Sequence, residues 1–459
     1  MSILIKRKLS ELIKMVNGRI NEEKYKSSEF EGVSIDTRTV KDGNLFIPII
    51  GEKFNGHEFV DTAFENGAVA TLWQEDQPNP PSGVALILVG DTLKALQTLA
   101  KAYRDELSSL KVVGITGSNG KTTTKDMVAS VLATTYKVHK TEGNFNNHIG
   151  LPLTILRLEE ETEIAVLEMG MSAKGEIELL SSIARPDAAI ITNIGESHLQ
   201  DLVSREGIAE AKLEIIAGLT KDGLLVYHGD EPLLTSRINE RLKTKTFGTS
   251  KQCDYYPSNI QQKNDGTYFS VSHVETSFYI PVLGKHNVNN ALASIALARY
   301  FDVTDENIAK GLAILKITGM RTEVIAGKRD IQIINDAYNA SPTSMRAAIE
   351  LLQDLKGDAQ KIVVLGDMLE LGENEESFHV EIGRILLPEK IDYVLTFGEL
   401  GAFIAKGAKE HFPEERVLAF HDKSKLIKQL DEIVSANDIV LVKASRGMRL
   451  EEVVTALLQ

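Results

Sequence analysis

At 459 residues, 43% hydrophobic and 25% charged, the chain is too long for one hydrophobic core and too apolar for general disorder; two to four domains are expected, and three is the working count. A formal net charge of −14 excludes broad nucleic-acid binding, which needs a basic surface, and no stretch approaches the roughly 18 apolar residues of a membrane span. The single cysteine, Cys253, cannot form an internal disulfide or a cysteine-based zinc site, and the first residues lack the apolar segment of an export signal, so a cytoplasmic protein is expected.

Residues 1–105 mix strand-like runs at 45–50 and 84–89 with turn-rich segments at 51–56 and 78–83, which predicts a small α/β unit. From Lys111 the rhythm becomes apolar strand, loop and amphipathic helix. Runs at 112–116, 164–169, 188–192 and 224–227, with helical patterns between the first three, predict a mostly parallel sheet. After a helical pattern at 290–300, a third unit starts near Arg321. Its runs at 331–335, 362–365, 393–397 and 439–442 alternate with helical patterns and predict a second doubly wound sheet. One helix there is well punctuated: Ser341 as N-cap, Pro342 at the first helical position, then Met345, Ala348, Ile349, Leu352 and Leu355 on one face.

The strongest local signal is Gly-Ser-Asn-Gly-Lys-Thr-Thr-Thr at 117–124, between the run 112–116 and a helix with Met127, Val128, Val131 and Leu132 on its buried side. Glycine lets backbone N–H groups approach phosphates closely, so Gly117, Ser118, Asn119 and Gly120 would cradle them, Lys121 would reach the β- and γ-phosphates, and Thr122 would offer its hydroxyl to Mg²⁺. The general phosphate-loop formula places a glycine where Ile115 stands; Gly114 is one position off. The alternative is a plain glycine turn between strand and helix.

Glu168 ends the run 164–168, and His198 follows the run 188–192, so both are expected at the C-terminal ends of neighbouring strands, where open α/β sheets place ligands. Magnesium prefers oxygen, and taken alone His198 reads as a loop histidine rather than a ligand. Lys212 falls on the apolar stripe of a helix predicted over 208–216, beside Ile208, Ile215 and Ile216. It either snorkels to solvent or, desolvated, becomes a neutral and reactive amine.

Together these residues resemble the Mur ligases of peptidoglycan synthesis over essentially the whole chain. The resemblance rests on 117–124, Gly-Asn-Phe-Asn-Asn at 143–147, Leu-Glu-Met-Gly at 167–170, Asn-Ile-Gly-Glu-Ser-His at 193–198, Ala211-Lys212, Gly-Lys-His-Asn-Val-Asn-Asn-Ala at 284–291 and Lys-Ala-Ser-Arg at 443–446. Asp-Ala-Tyr-Asn-Ala-Ser-Pro at 336–342 and Leu-Gly-Asp-Met-Leu-Glu-Leu-Gly at 365–372 point to the dipeptide-adding branch. His148 stands where many relatives carry glutamate.

The resemblance implies an α/β protein of three domains: 1–105 binding a UDP-sugar, 106–320 a central ATPase of phosphate-loop type, and 321–459 a Rossmann-like domain that closes over the nucleotide. It implies an ATP-dependent amide-forming ligase that adds D-alanyl-D-alanine to UDP-N-acetylmuramoyl-tripeptide through an acyl phosphate, as a monomer. Lys121, Glu168, His198 and Lys212 would be catalytic. ATP would be held by residues 117–123, Thr123 included, with Asn287, Asn290, Arg321 and Asp336. Two Mg²⁺ ions would be held by Thr122, Glu168, His198 and a carbamylated Lys212. Ser34 and Arg38 resemble a uridine-site segment, as do residues 54–57, and Asn144, Asn146 and Asn147 resemble a substrate loop. The competing readings are a ligase of the same superfamily adding a single amino acid, and a nucleotide-binding regulatory protein with an idle site.

Overall fold

The computed structural model describes residues 4–263 and 265–458. Three sheets organise three domains. The N-terminal sheet has the order Arg19–Ile20, Leu86–Val89, Ala70–Gln74, Leu45–Phe46, Val33–Ser34, parallel except at its first pair. The strand expected over 45–50 is cut to Leu45–Phe46, because Pro48 has no N–H to continue the ladder beyond Ile47, whose N–H still reaches Ser34 O.

The central sheet is parallel throughout, in the order Lys243–Phe247, Leu224–His228, Ala188–Ile191, Lys111–Thr116, Ile164–Glu168, Val138–Lys140. Its middle strands are buried on both faces, as their uninterrupted apolar runs require. One face packs on the helix Lys121–Leu132, which buries Met127, Val128, Val131 and Leu132, and on the helix Lys285–Tyr300. The latter starts five residues before the helical pattern at 290–300, because it is buried nearly all round and therefore has no polar stripe to mark its first turn. The other face shares a continuous core with the N-terminal domain through the helix Thr92–Glu106, whose buried Tyr103 donates its hydroxyl to Leu158 O at 2.8 Å.

The third sheet has the order Glu323–Ala326, Gln332–Asp336, Ile439–Lys443, Lys361–Gly366, Tyr393–Phe397, Val417–Phe420, parallel except for its first pair. Ser341 caps the helix Pro342–Asp354 through Ser344 N–H, as expected, and Met345, Ala348, Ile349 and Leu352 are buried; Leu355 lies just past its end. The helix expected over 208–216 is Arg205–Leu213, followed by a 3₁₀ segment Glu214–Gly218. The tighter winding brings Gly218 against Ser181, whose hydroxyl bonds Ile215 O at 2.6 Å and leaves no room for a side chain at 218.

In the helix Glu375–Arg384, His379 is fully buried and pins the turn after Lys361–Gly366. Its Nδ1–H donates to Glu375 O at 2.6 Å while Nε2 accepts from Met368 N–H at 2.8 Å, an arrangement only neutral imidazole can make. Burial lowers its pKa below the ordinary value of 6.5. As pH falls, the unfolded chain therefore takes up this proton first, so the contribution of His379 is complete above about pH 6.5 and is lost as pH falls toward the folded pKa. Between about pH 7.5 and 5.5 the wild-type melting temperature should fall, and His379→Gln, which cannot titrate, should show a smaller fall; equal slopes would contradict this role.

Candidate active site

A cavity of about 740 Å³ opens at the C-terminal edge of the central sheet and is walled on its far side by the third domain. The strand Lys111–Thr116 delivers its floor, residues 117–120. Gly117 adopts φ +145°, where a Cβ would land on Thr192 Oγ1, and Gly120 adopts φ +79°, where a Cβ would meet Asn290 Oδ1. Neither position tolerates a side chain. The loop is fixed from the next strand connection: Ser118 N–H donates to Asn193 O at 3.0 Å, Asn119 N–H to Asn193 Oδ1 at 2.9 Å, and Thr192 Oγ1 donates to Asn119 O at 2.6 Å. Lys121 Nζ folds back on Gly117 O at 2.7 Å and Ser118 O at 3.3 Å. Burial lowers its pKa, with Glu168 opposing and Arg321 adding to the shift. Gly114, the displaced glycine of the motif, serves packing instead, since a Cβ there would press on Met169 and Ile215.

Around this floor several buried polar atoms have no protein partner: Ser118 Oγ, Asn119 Nδ2, Glu168 Oε2, Lys212 Nζ and Arg321 Nε. Buried polar atoms are normally paired, so this concentration at one place marks a site built for polar ligands. Glu168 ends its strand, nearly fully buried; Oε1 accepts from Asn146 Nδ2 at 2.8 Å while Oε2 stays free. Glu168 and His198 do not sit on adjacent strands as expected, because Lys111–Thr116 runs between Ile164–Glu168 and Ala188–Ile191. They flank the phosphate loop from opposite sides, which the order of strands along the chain could not reveal. His198, in a left-handed turn at φ +64°, has Nδ1 2.8 Å from Glu370 Oε2 without alignment for a hydrogen bond. Burial first, and Lys121 second, lower its pKa and keep it neutral near pH 7. Among the described residues no three His, Cys, Asp or Glu side chains group as a metal site, so any cation here needs oxygens from elsewhere.

Lys212 does not snorkel. Its side chain is 1% exposed, and burial, reinforced by the charge of Lys121, pushes its pKa well below the ordinary lysine value.

Asn287, Asn290, Arg321 and Asp336 all line the cavity. Asn287 donates to Leu283 O at 2.8 Å and accepts from Asn290 at 3.1 Å, which turns Asn290 Oδ1 toward Gly120. Arg321 stacks over the Tyr338 ring, 4.1 Å from its centroid. Asp336 is tied down by Thr322 N–H at 2.9 Å and by the buried ammonium of Lys443. Asn144, Asn146 and Asn147 border the cavity too, although Asn147 Oδ1 is engaged in capping the helix Gly150–Leu156. Ser34 and Arg38 are not brought there. They lie in an N-terminal turn, Ser34 bonded to Asp36 O and Thr39 Oγ1, and Arg38 exposed and paired with Asp36.

The third domain closes on the central one through contacts the sequence did not reveal, Ser341 having been expected only as a helix cap and Thr343, Glu196 and Gln200 not having been singled out. Ser341 Oγ donates to Asn119 Oδ1 at 3.2 Å, Thr343 N–H and Oγ1 reach Glu196 Oε2 at 3.2 and 2.8 Å, and Gln200 N–H donates to Glu370 O at 3.1 Å. Glu196, Ser341 and Glu370 fall within the motifs quoted above, whereas Thr343 is simply the residue after one of them.

Matches to known families agree with this architecture. Residues 29–104 match the Mur ligase family catalytic domain, 115–298 the Mur ligase middle domain, and 320–446 the Mur ligase glutamate ligase domain. The chain is 57% identical over 456 residues to the UDP-N-acetylmuramoyl-tripeptide–D-alanyl-D-alanine ligase of Bacillus subtilis, covering 99% of each chain. It belongs to the Mur ligase family. The crystal structure of the Mur ligase MurF from Acinetobacter baumannii superposes with a TM-score of 0.89 at 30% identity, over 99% of both chains. A Mur ligase from Thermotoga maritima, MurF in complex with ADP, superposes with a TM-score of 0.81 at 32% identity, over 93% of this chain and 96% of that one.

Proposed function

We propose that this chain is an ATP-dependent amide ligase that joins D-alanyl-D-alanine to UDP-N-acetylmuramoyl-tripeptide in peptidoglycan precursor synthesis. The observation that carries the chemistry is the cleft, in which Lys121, Glu168 and His198 of the central domain and Arg321 and Asp336 of the third line one cavity over a glycine loop. The full-length relative at 57% identity supports the choice of substrates. In this scheme residues 1–105 bind the UDP-sugar, with Ser34 and Arg38 near the uridine, 106–320 bind ATP and 321–459 close over it. Asn144 and Asn146 stand at the mouth as substrate contacts, with Asn147 capping their loop. The proposed compartment is the cytoplasm, where ATP is available; among the described residues no helix is long and apolar enough to cross a membrane.

A carboxylate resists attack by an amine because oxide is a poor leaving group. The tripeptide carboxylate attacks the γ-phosphorus of ATP, the bond to the β-bridging oxygen breaks, and an acyl phosphate and ADP form. The dipeptide amine, having lost a proton to become neutral, attacks the acyl carbon; the C–O bond to phosphate breaks with its electron pair on the leaving oxygen, and phosphate carries off the second amine proton. Phosphoryl transfer mainly needs positioning and charge neutralisation. The backbone N–H groups of Gly120, Lys121 and Thr122, with the Lys121 ammonium, Arg321 and the Asn287–Asn290 pair, are proposed to provide both; those of Ser118 and Asn119 are taken by Asn193. The clasp of Ser341 with Asn119, Thr343 with Glu196 and Gln200 with Glu370 is proposed to exclude water from the acyl phosphate.

The free Oε2 of Glu168, the hydroxyl of Thr122, neutral His198 and the orphaned amine of Lys212 suit Mg²⁺, provided Lys212 gains oxygens. Magnesium ions bound there would neutralise the charge developing on the transferred phosphoryl group. Its depressed pKa leaves Lys212 a nucleophilic free pair, which adds to carbon dioxide and loses a proton to give a carbamate with two ligand oxygens.

Phosphate release should require ATP, UDP-N-acetylmuramoyl-tripeptide and D-alanyl-D-alanine together, with a pentapeptide product detected by mass; equal turnover with a single amino acid in place of the dipeptide would overturn the assignment. Lys212→Ala should lose at least about a hundredfold in kcat and regain part of it with added short-chain carboxylates. Full activity in that variant would end the carbamate proposal.

A further inference from the structure

The segment joining the central and third domains passes along the helix Lys121–Leu132, the helix launched by the phosphate loop. Asp126, five residues after Lys121, is almost completely buried there. Lys125 Nζ lies 3.4 Å and Lys140 Nζ 2.6 Å from its Oδ1, and its Oδ2 accepts from both Thr318 N–H and Thr318 Oγ1, each at 2.8 Å. One carboxylate thus neutralises two lysines and grips the linker. Burial alone would raise its pKa, but Lys125, Lys140 and Thr318 outweigh that and hold it below the ordinary carboxylate range.

Just beyond the grip, Met320 and Thr322 are both in the left-handed region, at φ +62° and +52°. Such a conformation is costly for a residue with a side chain, especially a β-branched one, and persists only where the surroundings impose it. Here they do: Met320 N–H donates to Glu323 Oε2 and Thr322 N–H to Asp336 Oδ1, each at 2.9 Å, and Met320 O accepts from Tyr338 N–H at 3.3 Å. Between the two strained residues stands Arg321, stacked on Tyr338, lining the cavity with Nε buried and unpartnered. The linker is therefore anchored on the central domain by Asp126 and on the third domain by Asp336, and between the anchors stands Arg321, which lines the cleft.

We infer that Asp126 and Thr318 form a positioning pair for the ligase reaction: their contact sets the strained 320–322 segment and so aims Arg321 at the phosphates of the nucleotide. This rests on the assignment of Arg321 to the nucleotide made above. Strain at 320–322 fixes the guanidinium before ATP arrives, and the grip on the phosphate-loop helix ties its position to that of Lys121 rather than to the third domain alone.

The test is a double-mutant cycle on the full-length enzyme, read as KM for ATP and kcat. Thr318→Val removes the hydroxyl donor while leaving Asp126 and both lysines in place, and should raise KM for ATP about tenfold with little change in melting temperature; Thr318→Ser should restore wild-type values. In an Arg321→Ala background, Thr318→Val should add nothing. Thr322→Gly, which relieves the left-handed strain, should also raise KM for ATP without lowering the melting temperature. If Arg321→Ala impairs ATP use but Thr318→Val costs the same factor with or without Arg321, Asp126 and Thr318 act only on the fold and the inference fails. If Arg321→Ala leaves KM for ATP unchanged, the assignment of Arg321 itself is wrong, and the inference falls with it.

Discussion

Residues 117–120 are crowded from three directions, and the rest of the structure is arranged around that crowding. Thr192 and Asn193 hold the loop from the neighbouring strand connection, Asn290 presses on Gly120 from the helix Lys285–Tyr300, and Ser341 of the third domain bonds Asn119. Two glycines in left-handed or otherwise disallowed conformations make the approach possible. A larger residue would displace the strand connection that carries His198 or the helix that carries Asn287. The phosphate loop is therefore both the floor of the cleft and the point where the parts of the enzyme are held in register.

Charge is distributed to the same end. The protein is acidic overall, yet Lys121, Arg321 and Lys443 line one cavity. Burial and repulsion from the nearby charge of Arg321 raise the free energy of the Lys121 cation, as its lowered pKa records. A polyanion entering the cleft relieves that repulsion, and it does so in a low-dielectric setting where each interaction is strong. On the proposed assignment, affinity for a nucleotide triphosphate comes from a locally unfavourable arrangement in an otherwise negative molecule.

The central and third sheets were legible in the sequence because their strands are buried on both faces and read as unbroken apolar runs, such as 112–116 and 439–442. The edges were not. Lys243–Phe247 reads as Lys-Thr-Lys-Thr-Phe, and the antiparallel sheet Pro257–Lys263, Gly266–Val271, Ser277–Ile280 is polar on one side, so neither produces a run. In the site, Gly117, Lys121 and Glu168 could be named because their chemistry is tied to local spacing. The flanking of the loop by Glu168 and His198 depended on strand order, and the clasp of Thr343 with Glu196 depended on how two domains meet, which no local pattern encodes. Lys212 lay between: its helical stripe was visible, but only the folded chain distinguishes a buried amine from one that reaches solvent.

On the proposed reading the nucleotide is held by two domains at once. Hydrogen exchange of the full-length enzyme with and without a non-hydrolysable ATP analogue measures this directly. Protection should rise together in the loop 117–123 and in the third-domain segments 320–322 and 336–340. Protection confined to 117–123, with the third domain exchanging as in the free enzyme, would contradict it.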